Sequence, residues 1–243
     1  MSNGLFEQAG ENIIFVLQFA LIIVAMFVVA YVVELAYRKK HKETGRILST
    51  KKIAAIGLFS ALSAILYTFF RFPLPFIAPA FYEMDFADLP ALIGAFAFGP
   101  VAGVLIVFVR CLLKLMIQGT QTAFVGELAS FVIGASFILP AAIVYRHKKS
   151  KKMALIGCVV GTVFVTVFAT FFNAIYLIPT FAQMFFGGDI NSIIEMGNAI
   201  YGAINSVWTL AVLCVAPFNL LKAAVVSVLT MLVYKKLSPI MKG

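Results

Sequence analysis

Long apolar runs separated by short polar gaps dominate the chain, and their lengths predict membrane-spanning helices. A helix needs about 20 apolar residues to cross a hydrocarbon core about 30 Å thick. Residues 13–33 form such a run, broken by Gln18. Residues 53–70 form the next, followed by Phe72-Pro-Leu-Pro-Phe-Ile-Ala-Pro79, which cannot be helical throughout. The run 89–116 is too long for one crossing, and Gly99-Pro100 in its middle predicts a tight hairpin. Its first arm, 87–98, is short enough to be tilted, interfacial or re-entrant. Runs 123–144, 153–178 and 207–233 complete the set. Between the last two lies a mixed, aromatic-rich segment, 180–205, containing Gly187-Gly188-Asp189.

Composition agrees. The 243 residues are 63% hydrophobic and 12% charged, with a mean hydropathy of +1.04. Soluble domains are about 45–50% apolar and about 25% charged, so a soluble enzyme and a disordered chain are both excluded. The net charge of +9 does not point to nucleic acid, because the cations are confined to gaps. Arg38, Lys39, Lys40, Lys42, Arg46, Lys51 and Lys52 share one gap. Arg146, Lys148, Lys149, Lys151 and Lys152 share another, and Lys235, Lys236 and Lys242 lie in the tail. This is the pattern of cytoplasmic loops under the positive-inside bias.

The first apolar run has Glu7 and Glu11 before it and its cations after it, the reverse of a signal peptide. It reads as an uncleaved helix with its N-terminus outside. Counting crossings from there puts every basic cluster and the C-terminus on the inner side. The expected architecture is an all-α integral membrane protein, a six-helix bundle plus one extra N-terminal transmembrane helix. Its parts are the extra helix (1–36), a basic linker (37–52), the bundle (53–236) and a tail (237–243). Cys111, Cys158 and Cys214 each fall in an apolar run and read as small buried hydrophobes.

Few ionisable groups remain within the runs: Arg71, Asp85, Asp88, Arg110, Lys114, Glu127 and Lys222. A charge at the centre of a membrane helix costs about 2.5–3.5 kcal/mol or more, so such groups face the bundle interior or a wet pocket. Arg71, Asp85 and Asp88 lie near helix ends, where capping is the plain structural reading, most of all for Asp88. Arg110 and Lys114 share one helix face. Glu127 and Asn173 each sit about one turn inside the outer end of a helix. Asn219 and Lys222 share a face near the middle of the last helix, just after Pro217, which predicts a kink. These groups converge on a pocket open to the outside. Glu127 paired with Arg110 or Lys114 as internal glue is the competing reading. Asn219 and Lys222 have no obvious carboxylate at their depth, so they ask for a ligand.

Ala54, Gly57, Ala61 and Ala64 form a small-residue stripe that lets another helix approach closely, or serves ordinary bundle packing. The only histidines, His41 and His147, lie in basic gaps, and no GxxxxGK[ST] loop, HExxH motif or nucleophile–base arrangement occurs. The sequence therefore points to no enzyme, no ATP hydrolysis, no metal and no cofactor.

Six stretches in order resemble the substrate-binding (S) subunits of energy-coupling factor vitamin transporters, most closely the riboflavin-specific ones. They are Phe72-Pro-Leu-Pro-Phe, Met84-Asp-Phe-Ala-Asp-Leu-Pro90, Phe98-Gly-Pro-Val-Ala-Gly103, Gly126-Glu-Leu-Ala-Ser-Phe, Asn173 with Tyr176-Leu-Ile-Pro179, and Pro217-Phe-Asn-Leu-Leu-Lys222. The resemblance runs from about Thr50 to the C-terminus and lacks the first helix. It implies a six-helix bundle that captures its vitamin from outside, beneath the proline-rich loop. It also implies a separate membrane coupling subunit, packed on the small-residue stripe, and two cytosolic ATPases. The implied vitamin contacts are Met84, Asp85, Phe86, Glu127, Asn173, Tyr176, Asn219 and Lys222. The same subunit type with thiamine or a pterin, and a stand-alone secondary permease, remain as alternatives.

Overall fold

The computed structural model describes residues 13–242 except 43, 45, 121 and 123. Among the described residues, six helical stretches are long and apolar enough to cross a membrane: Ala20–His41, Thr50–Phe69, Pro100–Gln118, Val125–His147, Lys151–Phe185 and Val207–Tyr234. Six of the seven expected crossings correspond to them, with differences at the ends; the run 87–98 does not, so a six-helix bundle plus one extra full-length crossing is not found among the described residues. Helix α1 (Ile13–His41) continues through Arg38–His41 into the basic gap, where cations suit a helix C-terminus. The expected linker 37–52 is therefore helical at both ends. Ala123, the expected start of one helix, lies outside the described residues.

Helix α2 (Thr50–Phe69) begins at Ser49, whose hydroxyl accepts from the Lys52 N–H at 3.4 Å. The proline-rich loop carries a short antiparallel pair, β1 (Arg71–Pro73) and β2 (Glu83–Asp85), with Arg71 opposite Asp85 and Pro73 opposite Glu83. Helix α3 (Asp88–Phe98) has 11 residues, about 16 Å at 1.5 Å per residue, shorter than the hydrocarbon core and not one of these six, yet it carries the chain from one end of the bundle at Asp88 to the other at Gly99. Gly99 turns it into α4 (Pro100–Gln118) at φ 102°, a conformation that favours glycine. Helices α5 (Val125–His147) and α6 (Lys151–Phe172) then pack closely. A Cβ on Gly157 or Gly161 would lie 2.6 Å from the carbonyl oxygen of Ala141 or Phe137, so only glycine permits this approach.

Two five-residue π-helical segments interrupt the last spans, Asn173–Leu177 and Ala211–Val215. Each ends two residues before a proline, Pro179 or Pro217. A proline cannot donate to the carbonyl four residues back, and the preceding residue instead bonds five back: Ile178 to Asn173 and Ala216 to Ala211. The kink expected at Pro217 is thus expressed as a local widening of the helix. The mixed segment 180–205 is largely helical, with α7 (Ile178–Phe185) and α8 (Ile190–Asn198). A single turn, α9 (Val207–Leu210), leads through the second π segment into α10 (Ala216–Lys242).

The core fills the space between α3, α4, α5 and α6 with Ala, Val, Ile and Phe side chains. Helix α1 lies against α4 and α5 and exposes Leu21, Val28 and Val32 on its other side. Its seam holds Phe27, edge-on to Phe108 at 5.5 Å, and fully buried Glu34. Glu34 pairs with Arg146 at 2.7 Å and accepts from the Val101 N–H at 3.3 Å, at the positive end of α4. A Cβ on Gly99 would lie 2.2 Å from Arg146 Nη1, so the glycine also makes room for this pair.

Candidate functional site

A cavity of about 210 Å³ lies where the C-terminal ends of α2, α4 and α6 meet the N-terminal ends of α3 and α5. Elements far apart in sequence supply its wall: Arg71 and Glu83 from the strand pair, Tyr82 from the loop, Glu127 from α5, Asn173 from the first π segment, and Asn219 and Lys222 from α10.

Its charged groups are paired. Lys222 Nζ lies 2.7 Å from Asp85 Oδ2, while Asp85 Oδ1 accepts from the Ala87 N–H at 2.9 Å. One carboxylate thus holds the turn that leads into α3 and also neutralises Lys222 of α10. Arg110 Nη1 lies 2.7 Å from Asp88 Oδ1, and its guanidinium sits 5.7 Å from the centre of the Tyr67 ring. Lys114 pairs with Glu127, whose Oε2 also accepts from Thr120 at 3.0 Å and Thr122 at 3.3 Å. Thr120 further holds the turn into α5 by accepting from the Phe124 N–H at 2.8 Å, and Phe124 sits in the left-handed region at φ 71°. Arg71 and Glu83 pair at 2.9 Å across the strands. The wall's three cations, Arg71, Lys114 and Lys222, and its four carboxylates are thus all paired, the fourth carboxylate, Asp88, with Arg110, which lies behind the wall.

These pairings correct two sequence expectations. Lys222 does have a carboxylate at its depth, delivered by Asp85 from 137 residues away. Asp88 is the partner of Arg110 rather than a helix cap, since α3 begins without a side-chain cap. Glu127 takes Lys114, one of the two partners expected for it, and leaves Arg110 to Asp88. Asp85, Asn219 and Lys222 all border the cavity, so the Asp85–Lys222 bridge leaves open space beside it.

The two amides are anchored within their own helices. Asn173 Nδ2 donates to the Ala169 carbonyl at 2.8 Å, and its Oδ1 accepts from the Tyr82 hydroxyl at 2.8 Å. Burial pushes the Tyr82 hydroxyl well above its ordinary pKa, so it stays a donor and ties the loop to α6. Asn219 Nδ2 donates to the Val215 carbonyl at 2.9 Å; an amide has a second N–H and a carbonyl oxygen to offer a ligand. Aromatic rings complete the wall. Phe81 stacks on Phe181 at 5.2 Å, and Tyr82 lies 5.8 Å from Phe218.

Of the residues singled out from sequence, Arg71, Asp85, Asp88, Lys114, Glu127, Asn173, Asn219 and Lys222 line the cavity, whereas Arg110 lies behind it, paired with Asp88. Met84 and Phe86 flank Asp85 without joining the wall; Met84 is buried in the packing beneath the loop. Tyr176 points elsewhere and donates to Gln18 of α1 at 2.7 Å. Tyr67, Phe81, Tyr82, Phe181 and Phe218 also line the cavity; the aromatic richness of the loop and of segment 180–205 is their only signal in the sequence. On α2, Ala54, Gly57 and Ala61 are exposed, and nothing lies within 4 Å of a Cβ placed on Gly57. Ala64 is 2% exposed and belongs to the interior, which shortens the expected stripe.

Residues 51–234 match the family described as the ECF transporter substrate-specific component. The chain is 33% identical over 192 residues to the riboflavin transporter RibU of Staphylococcus aureus (strain TCH60), covering 79% of this chain and 93% of that one. It is 26% identical over 193 residues to the riboflavin transporter FmnP of Bacillus subtilis (strain 168), covering 79% and 94%. A solved S component of a bacterial ECF transporter superposes with a TM-score of 0.60 at 30% identity, over 79% of this chain and 98% of the other.

Proposed function

Because the chain belongs to the substrate-specific components of ECF transporters, we propose that it is the riboflavin-binding component of an ATP-driven vitamin importer. The observation that carries the choice of ligand is the charge-matched, aromatic-walled cavity. A site whose wall cations all pair with wall carboxylates, and whose remaining carboxylate, Asp88, pairs with Arg110 behind it, favours an uncharged polar ligand. Thiamine, a cation, would need a surplus carboxylate, and a pterin bearing carboxylates would need a surplus cation. Riboflavin is neutral, with a flat ring system for an aromatic slot, an imide edge of two acceptors flanking a donor, and a hydroxylated chain. The relatives named as riboflavin transporters support the same choice.

In this reading Asn219 and Lys222 meet the imide edge, and Asp85 holds Lys222 in place. Glu127, Asn173 and Thr122 take the chain hydroxyls. Tyr82 closes the loop over the ring and signals closure through Asn173. The family is a transporter component rather than an enzyme, and no step of bond making is asked of these residues. The energy comes from partners: a membrane coupling subunit, which would pack on Ala54, Gly57 and Ala61, and two cytosolic ATPases. Helix α1 is read as an additional crossing outside the family match, with its N-terminus outside and the basic gaps and C-terminus in the cytoplasm.

Titrating riboflavin into the purified chain and following the quenching of flavin fluorescence tests the reading. Saturable quenching that thiamine does not displace is expected. Displacement by thiamine, or no saturation, would send the assignment to another vitamin.

A further inference from the structure

Helix α1 lies outside the residues 51–234 that match the family, yet it is fixed to the bundle at both ends. Toward the α3–α4 turn, buried Glu34 meets Arg146 at 2.7 Å and the Val101 N–H at 3.3 Å. Midway, Phe27 packs on Phe108 and Phe131, with ring centres 5.5 and 6.1 Å away. About 24 Å along the helix from Glu34, at about 1.5 Å per residue, Gln18 Oε1 accepts from the Tyr176 hydroxyl at 2.7 Å. Tyr176 belongs to the same π-helical turn as Asn173. That one turn is thus gripped from two sides. Asn173 is 1% exposed and accepts from Tyr82 of the loop at 2.8 Å, while Tyr176 reaches out to α1.

We propose that α1 is a strut for the ligand site: Gln18 and Tyr176 are positioning residues that hold the π-helical turn, and with it Asn173, where Tyr82 keeps the loop closed over the cavity. The turn needs support from outside itself, because Pro179 leaves the Ile175 carbonyl without its usual helical donor. Widened turns of this kind are rare and cluster at functional sites. The ring of Tyr176 is already fixed, stacked on Phe172 at 5.6 Å, which in turn stacks on Phe168 at 5.5 Å. Its hydroxyl therefore transmits the position of α1 to the turn instead of swinging freely toward it. Gln18 breaks the apolar run of α1, and an amide within a membrane helix is satisfied by bonding across to another helix. The inference rests on the reading of the outer cavity as the vitamin site.

Stopped-flow fluorescence of riboflavin binding to the purified full chain tests the strut, together with hydrogen exchange of the ligand-free loop. Gln18→Leu and Tyr176→Phe should each speed dissociation about threefold, the factor for an average hydrogen bond between membrane helices, with association no slower. The double variant should lose no more than either single one, because both remove the same bond. Without ligand, the amides of Ile77, Ala78 and Tyr82, which bond to Leu74 and Pro79, should exchange faster in the variants than in the native chain, and those of α2 should not. Thermal melting checks that the variants fold, and Gln18→Leu serves alone if Tyr176→Phe does not. Unchanged dissociation, with or without a lower melting temperature, would make α1 a packing helix only and overturn the strut. Effects that add in the double variant, or a loss in Tyr176→Phe alone, would make the tyrosine a direct ligand contact and likewise overturn it. Should the native chain fail to bind riboflavin saturably, the vitamin assignment falls, while the exchange rates still decide the strut.

Discussion

Single polar residues in apolar surroundings carry the site, and their removal has unequal effects. Asn219→Ala deletes an amide and leaves no charge stranded, so riboflavin binding should weaken by about 1–3 kcal/mol, roughly 5- to 150-fold, with little change in melting temperature. Lys222→Ala also strands the buried Asp85 carboxylate, and breaking such a pair from one side costs about 3–5 kcal/mol. Thermal melting should therefore fall sharply in Lys222→Ala and recover in Asp85→Asn/Lys222→Ala, while titration shows binding impaired in both. If the double variant regained full affinity, Lys222 would be a structural counter-ion and not a ligand contact. Asn173, Asn219, Lys222 and Glu127 were legible in the sequence because ionisable groups and amides are rare within apolar runs. Asp85 as the partner of Lys222 was not, because 137 residues separate them and only the loop's return over the bundle joins them. Tyr82 and Phe81 were hidden for the opposite reason: among 25 Phe and 8 Tyr, no single ring stands out.

Helices are where the hydrophobic pattern was most informative, since every predicted run is helical over most of its length. What the pattern missed depends on backbone hydrogen bonding. The π segments follow from prolines acting on the helix turn before them, and the strand pair 71–73 with 83–85 is too short to show alternation. The docking of α1 was equally invisible, because Glu34 reads as the polar end of a span until Arg146 and the start of α4 are placed beside it. That contact makes a quantitative prediction. Glu34→Gln and Arg146→Gln should each lower thermal stability, and the double variant should be less unstable than the sum of the two, by the coupling expected of contacting residues, about 0.5–3 kcal/mol. Additive losses would mean that α1 is not held by this pair. Gly99→Ala should also be destabilising, because its φ of 102° strains any side chain and the new methyl would meet Arg146 Nη1 at 2.2 Å; a variant melting with the native protein would contradict the turn geometry.

Across the whole molecule, one end is basic, the other holds a charge-matched cavity, and an exposed small-residue face on α2 runs between them. Under the proposed function, this division would separate capture from coupling. Gly57→Leu, on open surface with nothing within 4 Å of a Cβ placed there, should bind riboflavin normally yet slow uptake into vesicles that contain the coupling subunit and ATPases. Undiminished uptake would show that the face meets only lipid. The division was legible in outline, because clustered cations orient a membrane chain and buried ionisable groups mark a pocket. The size and electrical balance of the pocket were not, since both depend on which acid reaches which base. The central claim is that this balanced cavity takes a neutral flavin. Its most direct test is fluorescence titration of the purified chain with riboflavin, with thiamine as competitor. Saturable quenching at one site per chain, unmoved by thiamine and lost in Asn219→Ala/Lys222→Ala, is the expected result. Flavin fluorescence that falls only by dilution, with no saturation, would contradict the account.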